Sequence, residues 1–293
     1  MQDWPDGGTQ RGWWAEARAV AGLLRVPLHR RAWEGRIGNW AGAGRGTSLD
    51  FHDQRPYVPG DDPRHVNWQA YARTDLPTMK LFHEEVSPAV DVLCDVSRSM
   101  RADGQKRART FVLLFFLVES LRMAGSALRV TLVSGARSEE LPPAALQSDA
   151  VPAPAGLGTG EGQLIPDRAR LRPGALRVLV SDALFPDTPE TIARTLVSMR
   201  GQGIVLAPWS AAEAEPDWEG PLELTDVETG HRRREHVGVE ERARYRAAYE
   251  RHFASWREVC SRHGIAFARV PAAGSLSDAL RPALAAGALE ALP

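Results

Sequence analysis

The sequence predicts an α/β fold with a mainly parallel central sheet, and three observations predict it. From Val90 onward, apolar runs of strand length at 90–94, 128–133, 176–181, 204–209 and 265–270 alternate with longer stretches of helical periodicity. Most of these runs lack in/out alternation, as central strands covered on both faces do. Two of them run into an acid, Asp95 and Asp182, which puts both at the carboxyl edge of the sheet, where open α/β sheets bind ligands. The expected architecture is Rossmann-like, with helices on both faces of the sheet making three layers.

In chain order, residues 13–33 mix apolar and basic positions at loosely helical spacing, and the glycines crowding 35–46 end that pattern, so a helix and then a loop are expected. Residues 47–88 are polar, charged and aromatic. Asp62 can cap a helix whose first position suits Pro63; that short helix would carry Val66, Trp68 and Tyr71 towards Arg73, and 79–82 reads as a strand. Residues 1–88 thus form an N-terminal helix and an irregular/β segment packed on an α/β domain at 89–293. A helix over 106–123 is apolar almost all round through 111–118, so one face meets the sheet and another needs a cover. The N-terminal segment is the expected cover. Within 216–238 the chain reads as an inserted β-hairpin turning near Thr229 and Gly230, with Arg232, Arg233 and Arg234 on a solvated strand or turn. From 242 to 260, Tyr245, Tyr249, Phe253, Trp256 and Cys260 form a core-facing helical stripe that Gly264 terminates.

Composition narrows the function classes. With 293 residues, 43% of them hydrophobic, the chain is long enough to bury a sizeable core. Its formal net charge of -1, from 36 basic and 37 acidic residues, provides no general attraction to nucleic acid or anionic lipid. Cys94 and Cys260 cannot build a disulfide framework, and Cys94 sits in an apolar run, which suits a reducing cytosol. The first residues have acids and glycines where an export signal has a basic start and an apolar stretch. The longest apolar block, 111–118, is far short of the roughly 20 residues that span a bilayer. A cytoplasmic protein without membrane insertion is expected.

The chemistry concentrates in VDVLCDVSRSM, where a strand delivers Asp95 to the sheet edge and the following turn can aim the hydroxyls of Ser97 and Ser99 at one point. Oxygen ligands of this kind suit Mg²⁺ or Mn²⁺, hard ions that accept hydroxyls and retain some water. The competing role for Asp95 is a helix cap, with the ligand role favoured. Asp182, in LRVLVSDALF, supplies a second acid in the same context, or simply ends its strand.

Asp95, Ser97 and Ser99 resemble the DxSxS element of the metal-ion-dependent adhesion site of von Willebrand factor type A (vWA) domains. That resemblance implies a vWA-type fold, Asp182 as the aspartate of a later loop, and Thr159, in AGLGTGEG, as the threonine between them. Upstream, SLDFHDQRPYVPGDDPRHVNWQAYARTDLPTMKLFHEEVSPAVDVLCDVSRSM resembles the hallmark of the DUF58 family, and weaker likeness continues through TDVETG, the helix over 245–252 and GIAFARV. The family's elements fall on Arg55, Tyr57, Gly60, Asp61, Arg64, Trp68, Ala72 and Arg73. Their spacing suggests a buried network whose arginines bridge acids such as Asp50, Asp61 and Asp62, either to fasten the N-terminal segment or, less favoured, to bind a ligand. His52, His65 and His83 are too irregularly spaced for a zinc site.

What the resemblance implies is a non-catalytic, Mg²⁺-dependent interaction module or adaptor. Its partner would be a protein presenting a carboxylate, with a MoxR-type AAA+ ATPase as the associated machine. No Walker A pattern occurs in the chain, so ATP hydrolysis would occur elsewhere. The metal would bind weakly without the partner, because the shell is incomplete. The alternative is a haloacid-dehalogenase-like phosphatase using Asp95 as nucleophile, with Asp182 and Asp187 as later acids. Such an enzyme needs a second acid at position 97, where this chain has a serine. A serine hydrolase using Ser97 or Ser99 lacks both a G-x-S-x-G elbow and a recognisable base.

Overall fold

The computed structural model describes residues 4–28, 49–58, 66–84, 88–135, 137–148, 150–154, 165 and 171–292. The chain divides into two compact units, residues 29–87 and the remainder. Helix α1 (Gly7–Ala21) and the short strand β1 (Leu24–Arg25) open the larger unit. The helix starts earlier than its periodicity suggests because the Asp6 side chain accepts the Thr9 N–H at 2.9 Å, and it stops before Gly22.

The smaller unit holds β2 (Leu49–Pro56), α2 (Trp68–Thr74) and β3 (Thr78–Glu84). The two strands form an antiparallel pair, from Leu49 opposite Glu84 to Pro56 opposite Thr78, with an irregularity between Phe51 and Asp53. Helix α2 is capped by Asn67, which accepts the Ala70 N–H at 3.2 Å. The start expected at Asp62 and Pro63 lies outside the described residues, but Val66, which that helix was to carry, precedes the Asn67 cap and is not helical.

The larger unit continues with β4 (Ala89–Asp95), α3 (Arg98–Ala102), α4 (Gly104–Met123), β5 (Ala127–Ser134), β6 (Arg137–Glu140), α5 (Pro143–Gln147) and β7 (Leu176–Val180). Then follow α6 (Pro189–Val197), a 3₁₀ turn at Ser198–Arg200, β8 (Gln202–Trp209), α7 (Ala211–Ala214), β9 (Gly220–Thr225), β10 (Arg232–Val237) and α8 (Val239–Arg262). The chain finishes with β11 (Ala266–Pro271), α9 (Leu276–Ala279), α10 (Arg281–Ala285) and β12 (Glu290–Ala291), the last pairing with β1.

Six strands form the central sheet in the order β11-β8-β7-β4-β5-β6, all parallel except the edge strand β6. All five strands expected from the sequence are present within one or two residues of their expected bounds; the short charged β6 is an addition that its polar sequence concealed. Strand β7 is buried throughout, and β4 nearly so, as expected for central strands. Strand β11 alternates instead, because it lies at the sheet edge.

One face of the sheet carries Leu93, Leu179 and Val205 into a core with Ile192 and Leu196 of α6 and Tyr249, Phe253 and Trp256 of α8. Helix α4 packs on the sheet through β4, β5, β7 and β8. Its outer side is covered by the N-terminal residues, as expected: Trp14 stacks on Phe115 at 4.5 Å, Trp13 on Phe111 at 5.6 Å, and Trp4 meets Phe111 edge-on at 5.0 Å. The architecture is a three-layer, Rossmann-like α/β fold with α1 laid over one helix layer. Among the described residues, no helix is long and apolar enough to cross a membrane.

Candidate metal centre

The order of strands locates the crevice. After β4 the chain builds β5 and β6 on one side, then crosses to build β7, β8 and β11 on the other. The carboxyl ends of β4 and β7 therefore flank the point where the winding reverses, where α/β sheets open a ligand crevice. Cys94 pairs with Val180 in this parallel ladder, so Asp95 and Ser181 emerge side by side. The structure brings the two acids of the sequence motif to one sheet edge.

Asp95 is held at both oxygens. Ser97 donates its backbone N–H to Oδ1 at 2.9 Å, and the Ser181 hydroxyl donates to Oδ2 at 2.7 Å. Burial pushes the carboxyl up to about 7, the negative charge of Asp182 adds to the rise, and the bonds from Ser181 and Ser97 oppose it. The Ser97 and Ser99 hydroxyls are 3.0 Å apart, Ser97 buried at the start of α3 and Ser99 half-buried on it.

That spacing bears on the metal. Two adjacent ligands of an octahedral Mg²⁺, each at about 2.1 Å, are separated by about 3.0 Å, so the two hydroxyls already have the spacing of one octahedral edge. The same distance is also that of an ordinary hydroxyl hydrogen bond. With the Asp95 carboxylate beside them, the residues fit a hard cation. Among the described residues no cluster of three or more histidine, cysteine, aspartate or glutamate side chains could hold a metal.

Asp182 is 3% exposed and differently committed. Its Oδ1 accepts the Leu184 N–H at 3.1 Å, and its Oδ2 accepts from Lys106 Nζ at 2.9 Å. The next residue, Ala183, has φ 61°, a left-handed conformation that costs a residue with a Cβ some strain. Lys106 reaches the sheet edge from the first turn of α4 and also donates to Glu213 Oε1 of α7. Although burial works against its charge, the carboxylates of Asp182 and Glu213 outweigh that cost and raise its pKa above the ordinary lysine value. Lys106 did not emerge from the motif. A signal existed, because the chain has only two lysines, Lys80 and Lys106, among its 36 basic residues.

Glu228, in the turn between β9 and β10, also reaches this edge. Its Oε1 accepts the Ser99 N–H at 2.7 Å and its Oε2 the Arg98 N–H at 3.4 Å. The TDVETG stretch that contains it stood out in the sequence only as a point of family likeness.

Other expected residues fall elsewhere. Thr159 lies outside the described residues, as do Gly60, Asp61, Asp62, Arg64 and His65, and the side chains of Asp50, His52, Arg55 and His83. Tyr57 is half-buried and its backbone N–H donates to Pro77 O at 2.9 Å. Trp68 and Arg73 are exposed, where a buried network was expected; Trp68 meets Tyr71 edge-on at 6.2 Å. Both lie on α2, no residue of which is buried. Cys94 and Cys260 are buried free thiols; burial drives Cys94 far up and Cys260 up to about 12, so both are held as unreactive thiols.

Comparison with known proteins gives one strong match. A family described as "Protein of unknown function DUF58" matches residues 53–259. No curated protein matches the chain. Among solved structures, the chain is similar to the conserved hypothetical protein BatB from Bacteroides thetaiotaomicron, with 14% identity and a TM-score of 0.32 over 69% of this chain and 99% of that one. It is also similar to an aerotolerance-related membrane protein from Bacteroides fragilis, with 13% identity and a TM-score of 0.34 over 68% of this chain and 98% of that one.

Proposed function

The chain belongs to the DUF58 family, and from that premise we propose that its sheet-edge crevice is a non-catalytic, Mg²⁺- or Mn²⁺-dependent docking site for a protein partner that presents a carboxylate. The observation that carries this is the pair of hydroxyls, Ser97 and Ser99, at octahedral-edge spacing beside Asp95. When bound, the ion would supply a positive centre able to accept a carboxylate. Asp95 contributes the negative charge that holds such an ion, and Ser97 N–H and the Ser181 hydroxyl fix its orientation. Ser97 and Ser99 add oxygens without adding charge. Asp182 already has Lys106 as counter-ion, so it neutralises little of an incoming cation. The net positive charge that remains favours an acidic ligand.

The family resemblance further suggests a MoxR-type AAA+ ATPase as partner, in the assembly or maturation of other proteins, at a cytoplasmic location. Affinity capture with wild-type protein and Asp95→Ala tests this: an ATPase retained by the first and lost from the second supports it, and equal capture counts against the cradle as the contact. The alternative is a phosphatase using Asp95. Serine at position 97, with its hydroxyl bonded to Ser99, supplies no general acid there. Hydrolysis of a generic phosphoester that disappears in Asp95→Ala would overturn the docking role.

Metal dependence is measured by melting. At a metal concentration about 100 times Kd the folded state gains ~2.7 kcal/mol, a rise in Tm of roughly 5–10 °C for a unit of this size. Wild-type protein is expected to show it with Mg²⁺ or Mn²⁺, and Asp95→Ala to remain folded without it. Equal responses in the two proteins would refute metal binding at Asp95.

A further inference from the structure

We propose that Glu228 is a resident copy of the acidic group that a partner brings, so that the β9–β10 hairpin occupies the docking surface until a carboxylate carried on a similar tight turn displaces it. This rests on the docking role proposed above and names both the kind of partner and the step that admits it.

The tip of the hairpin is built to present Glu228. Asp226 Oδ1 accepts the backbone N–H groups of Glu228 at 2.9 Å and Thr229 at 2.8 Å. Backbone bonds from Gly230 N to Asp226 O and from Asp226 N to His231 O, each 2.8 Å, close the turn. Gly230 supplies the left-handed conformation the turn requires, with φ 73°. The bonds from Thr229 lead in holding the Asp226 carboxyl below its ordinary pKa, so it stays an ionised acceptor. Asp, Glu and Gly of TDVETG therefore have separate jobs: two shape the turn and the third projects from it.

The projected carboxylate lands on the motif itself. It accepts the N–H groups of Arg98 and Ser99, while its own backbone carbonyl accepts from Arg98 Nη1 at 3.3 Å. Ser99 thus carries both a cradle hydroxyl and the N–H that Glu228 occupies. A partner carboxylate approaching Ser97 and Ser99 would meet this negative charge and find the N–H donors taken. Two carboxylates do not share such a place without repulsion, so one must leave.

The hairpin can leave. All its ladder pairs run between its own two strands, from Arg232 opposite Thr225 to Val237 opposite Gly220, and it forms no part of the six-stranded sheet. Its strands are largely exposed, with Val237 buried at the base. Glycines stand at both roots: Gly220, with φ 77°, and Gly238, the cap of α8. A two-stranded ribbon has little stability of its own, so contacts at the base and the tip set its position. Pivoting at the glycines would release Glu228 without breaking a bond of the central sheet.

The probe is a fluorescein-labelled peptide with the chain's own residues 220–237, followed by fluorescence anisotropy in Mg²⁺ and in EDTA. The tethered hairpin competes with it at an effective concentration of ~mM. Removing that competitor in Glu228→Ala is expected to tighten peptide binding by about tenfold or more in Mg²⁺. Asp226→Ala, which loosens the turn but keeps the carboxylate, should give a smaller gain. EDTA, or Asp95→Ala in the Glu228→Ala background, should weaken binding to what the Arg98 and Ser99 N–H groups hold by themselves, and a peptide with Gln in place of its Glu should lose most of its affinity. Equal affinity of wild type and Glu228→Ala overturns the proposal. If Mg²⁺ still raises Tm through Asp95 in that case, metal docking stands and only the resident copy is lost; if Mg²⁺ raises Tm in neither protein, both fall.

Discussion

Asp95 binds a proton more readily in the folded chain than in the unfolded one, because burial and the charge of Asp182 both penalise its anion. Its pKa rises from 3.8 to about 7. Between those values the folded state holds a proton that the unfolded state has released, and the linkage has a definite sign. The stabilisation is complete below pH 3.8 and is lost as pH rises through about 7. The Tm of metal-free protein should therefore fall between pH 5 and pH 8, and Asp95→Asn should flatten that fall. An unchanged slope in the variant would place the titration elsewhere. A metal that needs the anion reverses the trend, so the Tm rise caused by Mg²⁺ should grow over the same interval. At this scale the DxSxS triplet was legible because its three oxygens lie within five residues. Lys106 and Glu228 were not, since the sequence contains no local mark of which acid or which N–H they meet.

Helix α4 shows how an element announces its neighbours before they are known. Phe111 to Val118 are all at most 2% exposed, and an apolar run with no wet face must be covered on both sides. The sequence therefore demanded a cover, and α1 provides it. Trp14 lies flat on Phe115 with an interplanar angle of 10° and is itself 2% exposed. Trp14→Ala should cost about 3–5 kcal/mol, the usual range for removing a buried large aromatic side chain, measured by urea unfolding. A loss under 1 kcal/mol would mean that α1 contributes little to this core. The bounds of α1 were less legible, because Asp6 begins the helix with a single cap while the apolar pattern strengthens only at Trp13. The hairpin was recognisable from its turn residues, whereas its docking onto α3 joins residues 129 apart.

Over the whole chain, the ladders of the central sheet and the core beneath α6 and α8 belong to residues 1–28 and 88–293. A unit with its own core is able to fold by itself. Replacing residues 29–87 by a flexible Gly/Ser linker should leave a cooperative thermal transition and an α/β circular dichroism spectrum; loss of cooperativity would show that the two units fold together. The five parallel strands, the all-round apolar helix, the hairpin and the DxSxS triplet were determined by the sequence alone. Each depends on periodicity, turn chemistry or short spacing, which act within a few residues. Strand order, the pairing of β4 with β7 and the meeting of Asp95, Lys106, Asp182, Glu213 and Glu228 at one sheet edge were decided only by the tertiary structure. Those contacts join residues 76 to 130 apart, and long-range pairings are selected by the register and packing of the assembled sheet, which no local pattern encodes.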